Sequence, residues 1–176
     1  MRFVFPTIAA MALLAGCETI QNMWSGRGEK ATANLQPTKD SSVRGTATFV
    51  QKGGHVHLTA AVSGLKPNSE FGFHIHEAGD CSSGDGMSAK GHFNPYGKPH
   101  GHIKSQERHA GDMPNLRSDA NGNATMDVML DVITVAPGPA SIVGRGLIVH
   151  VQPDDYKTQP TGNAGARSAC AVIQRS

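Results

Sequence analysis

Two sets of side chains in this sequence have the residue types and spacing of metal ligands. His74 and His76 are two residues apart, so on a β-strand their imidazoles point to the same face and can bind one metal ion together. This pattern is weak on its own, because His55 and His57 form a second such pair. The other set follows in a later stretch of the chain and comprises His92, His100, His109 and Asp112. Three imidazoles and one carboxylate make a closed tetrahedral zinc shell.

Hydrophobic periodicity predicts the strands that must position these ligands. Apolar residues alternate with polar ones from Val43 to Phe49, and again from Val56 to Val62, with a hairpin turn at Gln51–Gly54 between them. Further strands are predicted at Phe71–Glu77, Ala124–Val135, Ile142–Val151 and Ala169–Gln174. Many short strands separated by turn residues, with no helical spacing, predict an all-β antiparallel sandwich or barrel. His150, near the end of one of these strands, is a further candidate ligand.

A long stretch rich in glycine, proline and histidine, Ala78–Pro114, interrupts the predicted strands. Loops of this length inside a compact domain are normally functional. The stretch contains the second set of ligands, and metal binding can supply the order that such a loop lacks on its own.

The composition limits the classes of partner. The 176 residues include 17% charged and 5% aromatic side chains, and the formal net charge is +2. The sequence therefore has neither a basic arm nor an aromatic stacking platform, and we expect no nucleic-acid partner. The length suits one domain with an appended segment.

The N-terminus has the pattern of an export signal. Arg2 precedes an uncharged and mostly apolar run, Phe3–Gly16, which is shorter than the roughly 20 residues that span a bilayer. The run ends in Leu14-Ala15-Gly16-Cys17, which resembles the bacterial lipobox and implies cleavage before Cys17 and a lipid on its sulfur. An ordinary secretory signal with a chance cysteine is the alternative.

This reading divides the chain into a signal peptide at 1–16, a lipidated flexible tether at 17–41 and one domain at 42–176. The predicted location is the periplasm, with the protein anchored to a membrane through Cys17. Glu18 favours the outer membrane, because the enteric sorting rule associates Asp at that position with retention in the inner membrane.

The metal-ligand motifs together resemble those of the copper–zinc superoxide dismutase family. The matching segments are Phe73-His74-Ile75-His76, Gly91-His92-Phe93-Asn94-Pro95, His109-Ala110-Gly111-Asp112 and Gly162-Asn163-Ala164-Gly165-Ala166-Arg167-Ser168-Ala169-Cys170. The resemblance implies an eight-stranded Greek-key β-sandwich or barrel, immunoglobulin-like, with long metal-binding loops. The long insertion after His76 (Glu77–Lys90) resembles the bacterial periplasmic branch of the family.

The resemblance implies one copper and one zinc per subunit. The copper ligands would be His74, His76, His92 and His150, and the zinc ligands His92, His100, His109 and Asp112. His92 would then bridge the two metals through its two ring nitrogens. Asp154 matches the family carboxylate that orients one ligand of each metal, and Asp155 is its neighbouring rival.

The resemblance also implies the reaction of an antioxidant enzyme. Two superoxide anions and two protons become dioxygen and hydrogen peroxide while copper is alternately reduced and oxidised. Arg167 would hold the anion beside the copper through its forked guanidinium, and His92 would carry a proton. The alternative is a non-catalytic periplasmic module that binds copper and zinc on the same fold.

Other residues are assigned by the resemblance or left without a role. The family pairs Cys81 with Cys170 in a disulfide, and it leaves monomer and homodimer both open. Candidate charges for steering superoxide are Lys90, Lys98 and Lys157, although ordinary surface positions are the favoured explanation for each. His55, His57 and His102 lie outside the motif, the first two on the outward face of their predicted strand.

Overall fold

The computed structural model of the chain describes residues 29–176. Its strands are β1 (Lys30–Pro37), β2 (Arg44–Lys52), β3 (His55–Ser63), β4 (Glu70–Phe71), β5 (Phe73–His76), β6 (Leu116–Arg117), β7 (Ala124–Leu130), β8 (Gly146–His150), β9 (Arg167–Val172) and β10 (Gln174–Arg175). Within this range the one helical segment is a short 3-10 turn, Met87–Ala89. No helix of the described part is long and apolar enough to cross a membrane. The predicted all-β class is confirmed.

Eight of the ten strands form one sheet in which all pairings are antiparallel. The order is β5-β8-β9-β1-β2-β3-β7, with β10 added beside β1, while β4 and β6 make a separate two-stranded ribbon. Strand β1 joins the two halves of the sheet, because residues 30–35 pair with β2 and the last two residues, Gln36 and Pro37, pair with β9. The neighbours β5 and β8, and β3 and β7, are distant in sequence, as the crossovers of a Greek key require.

The core lies inside the curl of this sheet. Alternation in β2 and β3 sends Phe49 and Leu58, which are paired across the two strands, to the same inward face, and both are fully buried. The same hydrophobic cluster includes Ile75 from β5 and Leu147 from β8, at the other end of the strand order. The two halves of the sheet therefore face each other across one core, and the sheet has the form of a half-barrel.

The predicted start of the domain at residue 42 is wrong. Residues 30–37 form β1 inside the sheet, and Ala31, Ala33 and Leu35 on its inward face are almost completely buried. Two of these three side chains are alanines and give a weak periodic signal, so the sequence predicts a tether up to residue 41 instead of a strand. The proposed signal peptide and the first part of the tether lie outside the described residues.

Two other predicted strands are longer in the sequence pattern than in the structure. The apolar stretch from 124 continues to 135, but β7 ends at Leu130, and β8 begins at Gly146 rather than Ile142. The segment between them is a loop in which Ile133, Val135 and Ile142 are buried against the core. These residues are apolar because they cover the core, not because they pair in the sheet.

Candidate metal centre

Strands β5 and β8 carry three of the candidate ligands side by side. The two strands are antiparallel partners, with His74 opposite Ile148 and His76 opposite Gly146. His150 ends β8 at an irregularity in its pairing with β9, between Val149 and His150. All three imidazoles are buried. The main chain that carries these three ligands therefore belongs to the sheet rather than to the long loop.

The long loop between β5 and β6 is attached to β5 by main-chain hydrogen bonds. The Ile75 N–H donates to the Gly111 carbonyl at 3.0 Å, and the Phe93 N–H donates to the Ile75 carbonyl at 2.8 Å. Two loop segments thus run beside the strand that carries His74 and His76. A side chain at Gly111 would collide with the Ile75 carbonyl, so the close approach requires glycine there.

The first set of donors comes from four buried histidines whose ring nitrogens lie within 4.8 Å of one another: His74, His76, His92 and His150. The other nitrogen of each β-strand ligand is held from outside the set. His74 Nε2 contacts Asp154 Oδ2 at 2.8 Å. His76 Nδ1 contacts the Lys90 carbonyl at 2.8 Å. His150 Nδ1 contacts the Gly165 carbonyl at 3.1 Å. These contacts fix which nitrogen of each ring points into the set.

The nitrogens that point inward fit a metal ion. His74 Nδ1 and His92 Nε2 are buried and have no hydrogen-bond partner among the described residues. His76 Nε2 and His150 Nε2 face each other at 3.4 Å, although each ring donates its proton elsewhere. Buried nitrogens without partners are rare in folded proteins. Four imidazole lone pairs aimed at one place form the donor set that suits copper.

The second set of donors is gathered around one carboxylate oxygen, Asp112 Oδ1. It lies 2.8 Å from His92 Nδ1, 3.0 Å from His100 Nδ1 and 3.4 Å from His109 Nδ1. The other oxygen of Asp112 accepts hydrogen bonds from the main-chain N–H groups of Gly101 and His109. Asp112 is therefore oriented by the loop itself, and three imidazole nitrogens and one oxygen meet as a four-donor zinc shell requires.

His92 belongs to both sets of donors. Its Nε2 is one of the two unpartnered nitrogens of the first set, and its Nδ1 lies against Asp112 in the second. One imidazole is thus placed between two positions where a metal ion fits.

Asp154 connects the two sets behind the ligands. Its Oδ2 contacts His74 Nε2 at 2.8 Å, and its Oδ1 contacts His100 Nε2 at 2.9 Å. Asp154 is buried, whereas the neighbouring Asp155 is exposed and accepts hydrogen bonds from Thr158. A side chain at Gly162, where φ is +66°, would overlap the Asp154 carboxylate. The geometry required of the orienting carboxylate is therefore found at Asp154.

Burial sets the protonation of the first set of histidines. Desolvation lowers the pKa of His74 to about 3 and that of His150 to about 4. It also holds the pKa of His76 and of His92 below the ordinary value. All four rings are therefore neutral near pH 7 and offer lone pairs rather than protons to a cation.

Hydrogen bonding sets the protonation of the second set. Burial alone would raise the pKa of Asp112, but hydrogen bonds with His100, His109 and His92 outweigh it and hold that pKa well below its usual range. Burial opposes protonation of His100, yet Asp112 and Asp154 together raise its pKa to about 9. Without metal, the cluster is thus a buried carboxylate paired with a cationic imidazole, a positive charge that zinc would replace.

Arg167 lies where β9 meets the long loop. Its guanidinium donates hydrogen bonds to the carbonyls of Gly86 and Lys90, and the Lys90 carbonyl also accepts from His76 Nδ1. Three residues further along β9, Cys170 forms a disulfide with Cys81 at the start of the loop, with the two Cα atoms 5.9 Å apart. The expected disulfide is therefore present, and it ties the loop to the strand that carries Arg167.

Three polar side chains that the sequence did not single out support the site. Asn115 binds the main chain of Asp154 at two points, accepting from its N–H at 2.9 Å and donating to its carbonyl at 3.0 Å. Gln159 binds the main chain of His100 in the same way. Arg145 lies 4.4 Å from the ring centroid of Phe93. Each of these side chains joins segments that are distant in sequence, so only the tertiary structure reveals its role.

The remaining predicted residues are placed outside the two sets. His55 and His57 lie on the outward face of β3, as predicted, and His102 packs edge-on against Tyr156 at 4.6 Å. Lys90 is 3.3 Å from Glu77, and Lys98 is 2.8 Å from Glu107, so both ammonium groups are paired with carboxylates. Lys157 is exposed on the turn after Asp155. Cys17 and Glu18 precede the described residues.

Comparison with known proteins identifies the family to which these features belong. A family model described as copper/zinc superoxide dismutase matches residues 43–173. The chain is 41% identical over 166 residues to superoxide dismutase (Cu-Zn) 2 of Aquifex aeolicus (strain VF5), covering 92% of this chain and 96% of that protein. It is 41% identical over 158 residues to superoxide dismutase (Cu-Zn) of Paramecium bursaria Chlorella virus 1, covering 82% and 83% of the two chains.

A solved structure shows the same fold. The crystal structure of a protein described as the clock protein EA4 superposes with a TM-score of 0.77 at 41% sequence identity, covering 85% of this chain and 96% of that one. The family match, the relatives and the two sets of donors agree with one another. The chain therefore belongs to the copper/zinc superoxide dismutase family, and it is an oxidoreductase that uses copper and zinc and takes superoxide as its substrate.

Proposed function

We propose that the first set of donors binds copper, that the second binds zinc, and that His92 joins the two metals. The observation that carries this assignment is the pair of buried, unpartnered nitrogens, His74 Nδ1 and His92 Nε2, which point into the first set. An all-imidazole set suits copper, whereas three imidazoles and the Asp112 carboxylate suit a closed zinc shell.

The chain's own residues prepare the site for superoxide. Bound copper supplies the exchange of single electrons that disproportionation requires. Arg167 uses two of its N–H groups on the Gly86 and Lys90 carbonyls, which leaves others in the guanidinium fork to bind an anion. His92 Nε2 is the atom that can hold and release a proton at the buried end of the site, while His92 Nδ1 stays engaged with the zinc set.

Asp154 acts as a positioning residue in this scheme. Its two oxygens hold the outer nitrogens of His74 and His100, so one carboxylate orients a copper ligand and a zinc ligand together. Asn115 in turn fixes the main chain of Asp154.

A superoxide-consumption assay combined with metal analysis tests the assignment. We expect the loaded protein to consume superoxide and to hold one copper and one zinc per chain. His150→Ala should abolish activity and copper binding but keep zinc, because His150 belongs to the first set alone. His92→Ala should weaken the binding of both metals. His102→Ala, which lies outside both sets, should match the wild type in metal content and activity.

Two results would contradict this assignment. Loss of zinc rather than copper in His150→Ala would reverse the identities of the two sets. A wild-type protein that holds both metals but does not consume superoxide would instead be the non-catalytic binding module.

We also propose that the protein is a lipoprotein of the periplasm, anchored through Cys17 to the outer membrane. The support is the order Leu14-Ala15-Gly16-Cys17 after an apolar run, with Glu18 next. The disulfide between Cys81 and Cys170 agrees with an oxidising compartment. The proposed metal-binding and catalytic roles do not depend on this anchor.

Expression of the full chain in a bacterium with labelled palmitate tests the anchor. Wild type should carry the label and sediment with outer-membrane vesicles on a density gradient. Cys17→Ala should lose the label, and Glu18→Asp should move the labelled protein toward the inner-membrane fraction. An unlabelled wild type would contradict the lipid anchor, and an unchanged distribution of Glu18→Asp would contradict the sorting role.

A further inference from the structure

The outward face of β3 and β7 carries four side chains with metal-binding chemistry that the dismutase site does not use. The inward neighbours Val56 and Leu58 are fully buried, so alternation places His55 and His57 on the opposite, solvent-facing side of β3. On β7, the exposed residues Asp127 and Met129 share that outer face. β7 lies at the opposite end of the strand order from β5, which carries the dismutase ligands.

His57 is oriented as metal-binding histidines are. Its Nε2 lies 2.8 Å from Asp127 Oδ1, and the carboxylate is 77% exposed. A carboxylate on one ring nitrogen keeps the proton there and leaves the lone pair of the other, Nδ1, free for a cation. The contact crosses from β3 to β7, so it also fixes the direction of the ring.

A thioether lies directly across the strands from this imidazole. His57 is paired with Met129 in the β3–β7 register, and directly opposite side chains on one face have Cβ atoms about 4.5–5.5 Å apart. Met129 is 47% exposed, so its side chain is accessible from solvent on this face. Thioether sulfur selects soft ions, above all Cu(I), and discriminates against Mg²⁺ and Ca²⁺.

We propose that His57 and Met129 form a surface site for monovalent copper, with His55 as the second imidazole and Asp127 as the residue that orients His57. His55 is two residues from His57 on the same face, the spacing at which one strand presents two imidazoles to one ion. His55 is paired with Lys52 of β2, whereas His57 is paired with Met129 of β7. His57 and Met129 therefore form the centre of the site, and His55 lies at its edge. The site adds copper binding outside the dismutase centre.

Silver(I), a redox-inert stand-in for Cu(I), provides the test on the protein loaded with copper and zinc. Free thiols are first alkylated, and the buffer contains nitrate instead of chloride. Native mass spectrometry counts bound ions, and NMR of methionine labelled with ¹³C in the methyl group reports which side chain binds. We expect one silver ion per chain beyond the two resident metals, with a shift of the Met129 methyl signal.

Matched variants separate this site from general binding to histidine or methionine. His57→Asn and Met129→Leu should each lose the extra ion. Asp127→Asn should weaken binding by about tenfold, the lower end for a residue that orients a ligand imidazole. The controls His102→Asn and Met87→Leu change a half-buried histidine and an exposed methionine elsewhere in the structure, and both should bind silver as the wild type does.

Three results would overturn the proposal: no third ion in the wild type, an extra ion that survives both His57→Asn and Met129→Leu, or a shift confined to another methionine. Zn(II) bound in the same place with equal affinity would overturn the choice of monovalent copper. Because the resident metals are in place throughout, none of these outcomes depends on the assignment of the dismutase ligands.

Discussion

At the scale of single residues, the partner of one ring nitrogen decides what the other can do. His76 and His150 give their Nδ1 protons to the Lys90 and Gly165 carbonyls, so each offers Nε2 to the site. His74 is held through Nε2 by Asp154 and therefore offers Nδ1. Residue types and their spacing predict which histidines are ligands, but the choice of nitrogen depends on main-chain carbonyls that no motif specifies.

Lys90 illustrates the same limit of prediction. As a lysine it suggests a charge that steers superoxide, but its ammonium is paired with Glu77. Its main-chain carbonyl accepts hydrogen bonds from both Arg167 and His76. The main chain of residue 90 therefore connects Arg167, the proposed anion-binding residue, to His76, a proposed copper ligand. Because every residue has a main-chain carbonyl, the side-chain type carries no signal of this contact.

Arg167→Ala should reduce superoxide consumption by about tenfold to hundredfold with little loss of metal. Hydrogen bonds to a charged group contribute roughly 1.5–3 kcal/mol, and each 1.4 kcal/mol is tenfold. The activity of Arg167→Lys should lie between those of the wild type and Arg167→Ala, because lysine keeps the positive charge but not the forked guanidinium. Activity at several salt concentrations and metal analysis measure this, with Arg44→Ala as the exposed control. Full activity in Arg167→Ala would contradict the anion-binding role.

At the scale of elements, the ligands depend on the register between β5, β8 and two segments of the long loop. The Ile75 N–H donates to the Gly111 carbonyl and the Ile75 carbonyl accepts from the Phe93 N–H, so this one strand residue binds both loop segments. The alternation of β2 and β3 and the ligand motifs were readable from the sequence. The attachment of the loop to β5 was not, because it is made by main-chain groups.

Gly111→Ala tests this attachment. The new Cβ would collide with the Ile75 carbonyl, so we expect the free energy of unfolding to fall by about 1–3 kcal/mol and zinc affinity to fall with it. Gly91→Ala is the matched control in the same loop, because a Cβ there meets no atom within 4 Å. Denaturant unfolding of both variants gives the comparison, and equal stabilities would show that the close approach is unimportant.

The disulfide acts at the same scale, since it closes a loop between residues 89 positions apart. The double variant Cys81→Ser/Cys170→Ser should lower the free energy of unfolding by up to roughly 4–5 kcal/mol on the chain-entropy model. The free energy of unfolding of the wild type should also fall in a reducing buffer. If unfolding in denaturant is unchanged in both, the link between loop and β9 does not stabilise the fold.

The short strands and β1 show why the elements were only partly predictable. Strands β4, β6 and β10 have two residues each, too few for a period to be seen. β1 buries Ala31, Ala33 and Leu35 where it joins the two halves of the sheet, but two alanines and one leucine give little hydrophobic signal. Tertiary packing, rather than local propensity, makes these segments strands.

At the scale of the whole molecule, the buried histidines make the stability of the metal-free protein depend on pH. The folded-state pKa of His74 is lowered to about 3 and that of His150 to about 4, from 6.5. Between pH 6.5 and 4 the unfolded chain therefore binds more protons, and stability falls as the pH falls through this window. His100 has the opposite sign, since its pKa is raised to about 9, and its contribution is lost as the pH rises through 9.

Urea unfolding of the protein in a metal chelator at pH 4 to 10 measures this dependence. We expect the greatest stability near pH 6.5, where the acid and alkaline windows meet, and a shallower acid slope in His150→Gln. His102→Gln, which changes a half-buried ring outside both sets of donors, should keep the wild-type slope. A stability that is flat from pH 6.5 to 4 would contradict the burial of neutral imidazoles in the folded protein.

The division of the donors into a copper set and a zinc set that share His92 is the central claim, and anomalous diffraction at the copper and zinc absorption edges tests it most directly. We predict a copper peak within about 2.0–2.2 Å of nitrogens of His74, His76 and His150, and a zinc peak at about the same distance from His100, His109 and Asp112. His92 should lie between the peaks. Zinc in the all-histidine set, or a His92 ring bound to neither metal, would contradict the account.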